Sequence, residues 1–158
     1  MDSYGYISAI ALFIYVAMML IFLAAKRNRI VNSFLLVLLS MICWTGGSCF
    51  MRALLWPNYI FWYHVSLFGL LCLPYAYYLL VNAMAEKEGR IEKYIYPVML
   101  GGLFLLNIPG GILFHWPVIV HNGENIRFVY DKIDWKSVIF FAAAGIVVIH
   151  TLYNLIQC

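Results

Sequence analysis

Residues 59–90, YIFWYHVSLFGLLCLPYAYYLLVNAMAEKEGR, begin in aromatic side chains, run apolar, and end in a burst of charge. A helix crossing the hydrocarbon core of a bilayer needs roughly 20 mostly apolar residues. Tyr59 to Asn82 supplies that length. The cluster Tyr59, Phe61, Trp62 and Tyr63 suits one water–lipid boundary, and Glu86, Lys87, Glu88 and Arg90 suit the other. Pro74 stands in the middle. It has no amide hydrogen, so the carbonyl of Leu70 loses its usual partner and a kink is expected there. In lipid such a break persists only where neighbouring helices or polar groups satisfy the carbonyl. The stretch therefore reads as a spanning helix packed within a bundle.

The rest of the chain agrees. Of its 158 residues, 65% are hydrophobic and 11% charged. Soluble domains carry about 25% charged residues, so the composition is that of an integral membrane protein. The ten Lys and Arg lie scattered in loops and make no basic face, which excludes a nucleic-acid partner. Cys43, Cys49, Cys72 and Cys158 form no CxxC pair, and three of them fall within apolar runs. They read as small buried side chains, and the sequence points to no metal and no cofactor.

Four further apolar runs surround the first. Residues 5–25 precede Lys26, Arg27 and Arg29, the reverse of the charge order in a secretory signal, so this run is a retained helix. A second helix is expected over about 33–55, with Ser33 as its cap. It contains Trp44 and the small residues Gly46, Gly47 and Ser48, which read as a close helix–helix contact or as a ligand slot beside Trp44. Arg52 near its end can snorkel or pair with an acidic loop residue. Trp56, Pro57 and Asn58 make a tight turn that sets the second and third helices antiparallel. A fourth run spans about 94–114, where Asn107, Pro109, Gly110 and Gly111 weaken or bend its last third. An intramembrane Asn at a broken helix also admits an ion site of the transporter kind, although no second half repeats it.

Residues 115–136 form the one sizeable polar loop. Val118–Val120 and Ile126–Tyr130 have strand composition around Asn122-Gly123, a hairpin signal. A last helix is expected over about 137–157. The fold class is thus all-α: a five-helix transmembrane bundle, one membrane domain over 1–158, with a short external β-hairpin. With the N-terminus outside, Lys26, Arg27, Arg29, Lys87, Arg90 and Lys93 face the cytoplasm, and Arg52, Arg127, Lys132 and Lys136 face out. Six bases against four favour this orientation, which puts the C-terminus inside.

Polar groups within the spans carry any function, because an unpartnered one is costly in lipid. The candidates are His64, Asn82, Asn107, His150 and Asn154, with Arg52 and Glu86 at helix ends. His64 beside Trp62 and Tyr63 lines an outward-facing ligand pocket or is a satisfied interface histidine. His150, Thr151 and Asn154 suit bonds between helices. No HExxH, GxSxG, Walker loop or GxGxxG in context occurs, so the chain reads as no enzyme.

Trp44 in the second helix, then Trp62, Gly69 and Pro74 ahead of a long apolar run and a charged turn, form a pattern. With Asn32 and Phe34 before the second helix and an external loop from about His115, it resembles the N-terminal seven-helix sensor region of bacterial histidine kinases. That region also occurs fused to diguanylate cyclases. The resemblance covers essentially the whole chain and implies a receptor in the bacterial inner membrane. Such a receptor perceives a small ligand or other signal and moves helices against a cytoplasmic output domain, usually as a homodimer. On this reading Trp44, Arg52, Trp62, His64 and Asn107 are ligand-binding candidates, and Pro74, Pro109 and Gly110 are hinges. The chain departs from the family in showing five helices and no kinase, PAS or cyclase domain, as a fragment or a stand-alone relative working through a partner would. The alternatives are a structural subunit docked on other membrane proteins, or a small transporter or channel.

Overall fold

The computed structural model describes residues 3–86, 92–109, 111, 115–122, 125–129 and 134–156. Five helices run in order: α1 Ser3–Leu23, α2 Arg29–Arg52, α3 Tyr59–Met84, α4 Glu92–Asn107 and α5 Trp135–Ile156. Between α4 and α5, β1 Val118–Asn122 pairs antiparallel with β2 Asn125–Val129, in a register that sets Val118 opposite Val129. Gly123 at the hairpin tip lies outside the described residues. The fold is all-α with one small hairpin, and α1, α2, α3 and α5 are long and apolar enough to cross a membrane.

Local chemistry sets the helix starts. Asn28, and not Ser33, caps α2: its side chain accepts from the Val31 amide at 2.7 Å, so the helix begins at Arg29. Asn58 does the same for α3 through the Phe61 amide, also at 2.7 Å. The Trp56–Pro57 peptide bond between these helices is cis. α2 stops at Arg52, earlier than the apolar run suggests, because Leu54 takes a left-handed conformation (φ 51°). The amides of Leu54 and Leu55 then return to the carbonyls of Met51 and Phe50. This is a Schellman closure built on leucine where glycine is usual.

α4 corrects the expected 94–114. It ends at Asn107, and its 16 residues reach about 24 Å at 1.5 Å each. Pro109 disfavours helical geometry at Ile108, and Gly111 turns left-handed (φ 64°), its amide donating to the Asn107 carbonyl. α3, by contrast, runs through buried Pro74 as one element.

α3 is the hub, packing on α2, α4 and α5, while α1 packs on α2. The core is mostly its own face, Tyr63, Leu67, Leu71 and Tyr78, joined by Met51, Leu100, Phe140 and Val147. The α2–α3 contact is close enough to exclude side chains. A Cβ on Gly47 would stand 2.5 Å from the Ser66 amide nitrogen, and one on Gly69 would stand 2.4 Å from that of Trp44. Ser66 completes the contact by donating to the Trp44 carbonyl at 2.9 Å. Gly46 instead faces the Leu12 side chain of α1. Within the apolar span of α1 no residue is buried. A helix apolar on every side and buried on none is at home in lipid.

Candidate functional site

The N-terminal end of α3 gathers the first polar centre. The His64 Nδ1 lies 2.8 Å from the Ile60 carbonyl. A carbonyl only accepts, so in the neutral ring Nδ1 carries the hydrogen and Nε2 is left as a bare acceptor. That Nε2 is shielded and has no hydrogen-bond partner among the described residues. Aromatic edges enclose the ring: Tyr63 at 5.7 Å between centroids and Trp116 at 6.3 Å, both steeply tilted. Above it Phe128 of the hairpin meets Tyr59 at 6.2 Å. The hairpin and its flanks therefore lie over the start of α3. Trp116 is the residue that sequence reasoning missed here, since nothing local marks which loop aromatic folds back on His64.

The other candidates are placed as follows. Trp62 locks the turn, its indole N–H donating to the Leu55 carbonyl at 3.2 Å and its ring meeting Phe50 at 4.7 Å. Arg52 is half-buried in the last turn of α2, at the same end of the bundle. Trp44 engages α3 through its backbone while its side chain is exposed. Asn107 is wholly buried where α4 breaks. Pro74 is buried in α3, Pro109 is exposed beyond α4, and Gly110 lies outside the described residues. His64 and Trp116 are thus brought together, whereas Trp44 turns away.

A second polar centre sits at the opposite end of α3. The Tyr96 hydroxyl and His150 Nδ1 share a hydrogen bond of 2.7 Å between α4 and α5. The buried Tyr78 ring packs against both, perpendicular to Tyr96 at 5.0 Å and stacked on His150 at 6.4 Å. Tyr75, one turn earlier, donates to the Lys93 carbonyl at 3.0 Å. The bond expected of His150 between helices is present, whereas Thr151 donates within its own helix to Val147. The tyrosines were the missed partners. Their only sequence signal is a run of phenols, Tyr75, Tyr77, Tyr78, Tyr94 and Tyr96, near the ends of two apolar segments.

Fourteen residues separate His64 from Tyr78, about 21 Å along the helix. Among the described residues no three His, Cys, Asp or Glu side chains converge, and Cys43, Cys49 and Cys72 are free thiols. Comparison with family models, with curated proteins and with solved structures returned no match.

Proposed function

We propose that the chain is the membrane-embedded input module of a signalling receptor, of the kind that drives a histidine kinase or a diguanylate cyclase. One observation carries the reading. A single helix, α3, holds an enclosed histidine beneath a hairpin at one end and a three-helix tyrosine–histidine cluster at the other. An event at His64 that shifts or turns α3 changes the surface on which Tyr96 and His150 meet. A signal biases such an equilibrium only by its differential affinity for the two arrangements. The bare Nε2 of His64 is a group able to supply that difference, by accepting a hydrogen bond. Arg52 and Asn107 stand as further ligand contacts, and Pro74, Pro109 and Gly110 as the points of bending. The module is placed in the bacterial inner membrane, N-terminus and hairpin outside, as a homodimer or beside an output partner.

The assembly-subunit reading has one observation of its own. A Cβ at Gly101, Gly102 or Gly145 would meet nothing, so α4 and α5 keep small-residue faces open. The gene beyond the codon for Cys158 separates the two readings. Further helices and a kinase or cyclase domain favour sensing, and a stop codon among genes of a membrane complex favours assembly. In an intact receptor, His64→Gln and Tyr96→Phe are each expected to shift basal output by about fivefold or more, the usual scale of coupling between sites. Output that ignores both substitutions rejects the input-module reading.

A further inference from the structure

The side of the molecule shared by α2, α3 and α4 carries a furrow of about 310 Å3. Phe68, Cys72 and Tyr75 of α3 form its floor, with Leu36 of α2 on one bank and Gly101 and Phe104 of α4 on the other. It persists because α2 and α4 each pack on α3 but make no substantial contact with one another among the described residues. The rings of Phe68 and Phe104, 5.4 Å apart and inclined at 65°, close one end. At the other end the Tyr75 hydroxyl is fixed to the carbonyl of Lys93, in the first turn of α4.

We propose that this furrow seats one acyl chain of a membrane phospholipid, with the head group level with Lys93. The lining is almost entirely carbon, and two of the three helices that bound the furrow, α2 and α3, are long and apolar enough to cross a membrane, where the surrounding solvent is hydrocarbon. Its volume matches about ten water-sized units of roughly 30 Å3, and a packed methylene is of similar size. Lipid tails are as apolar as leucine, so hydrophobicity gives the chain no preference for this place over the bilayer. The preference comes from dispersion contacts that the concave wall forfeits when unfilled. The α4 bank is open at Gly101, where an added Cβ would meet nothing within 4 Å. Lys93, exposed beside half-buried Glu92, supplies an ammonium at the level of the phosphate. The proposal rests on α2 and α3 being membrane spans and is independent of sensing.

The test uses the whole chain in phosphatidylcholine nanodiscs, doped with phosphatidylcholine bearing a photoreactive diazirine midway along one acyl chain. Adducts are mapped by mass spectrometry. Labelling within 68–75 and 97–104 is expected to exceed that on the exposed Phe13 and Ile14 of α1 by about fivefold, as a ~1 kcal/mol preference gives. Gly101→Leu adds a side chain where a Cβ meets nothing within 4 Å, and is expected to erase the excess while leaving α1 labelling unchanged. Leu36→Phe narrows the furrow from the other bank and is expected to do the same, so the test survives if one variant fails to fold. Equal labelling of furrow and α1, insensitive to either variant, would show an ordinary lipid annulus and overturn the proposal. So would labelling by a diazirine fatty acid alone, or disulfide-linked dimers through Gly101→Cys with no lipid adducts, which would place a second copy there.

Discussion

At positions 47 and 69 a hydrogen is the only side chain that fits. The atoms an added methyl would strike are backbone, 2.5 Å and 2.4 Å away, and backbone moves only if the helices part. Gly47→Ala and Gly69→Ala are therefore expected to destabilise the α2–α3 pair by about 1–3 kcal/mol each, the scale of overpacking. Gly46→Ala meets side chains alone, the flexible end of Leu12 at 3.4 Å and the Phe50 ring at 4.0 Å, and is expected to be near neutral. Denaturation of the purified protein in mixed micelles distinguishes the three, and equal effects at 46 and 47 would contradict the packing. Tyr96→Phe removes one hydroxyl bonded to His150. Hydrogen bonds between membrane helices average about 0.6 kcal/mol and reach about 1.7. A double-mutant cycle with His150→Leu is expected to return a coupling in that range, and zero coupling would deny the bond.

At the scale of elements, the ends of the helices were less legible than their middles. Apolar length made each helix evident, but its boundary depends on one or two hydrogen bonds. Asn28 outcompetes Ser33 as a cap because its side chain reaches the Val31 amide while the helix is already formed at Ser33. The short α4 follows from Pro109 and Gly111, whose backbone preferences end the helix at Asn107. Leu54 pays a conformational cost for closing α2, since a left-handed leucine lies about 1–2 kcal/mol above its helical form. Leu54→Gly is expected to raise stability by about 1 kcal/mol, seen as a higher midpoint in thermal unfolding in detergent. A lowered midpoint would mean that the half-exposed leucine side chain contributes more than its backbone costs.

For the whole molecule, the arrangement reduces to α3 as an axis with α2 on one side, α4 and α5 on others, and α1 outside α2. α2 and α3 run antiparallel across a short turn, so the α1–α2 turn and the hairpin fall at opposite ends of the bundle. Lys26→Cys and Val118→Cys are both exposed positions. A membrane-impermeant maleimide applied to intact cells is expected to label the second and spare the first. Labelling of both from one side would break the layout, and the receptor reading with it.

The five helices, the four among them long and apolar enough to cross a membrane, and the presence of a hairpin were determined by the sequence alone, because lipid imposes a length and an apolarity on a span; that α4 falls short of that length was not. The pairing of Asn-Gly with flanking β-branched residues did the same for the strands. Which glycine of Gly46-Gly47 touches which helix, which loop tryptophan meets His64, and which phenol finds His150 were decided only in three dimensions. Each depends on the rotation of one helix about its axis relative to another, and in uniformly apolar helices the sequence carries almost no periodic signal of that rotation. It is set by shape, where backbones come close enough that a single methyl separates contact from collision.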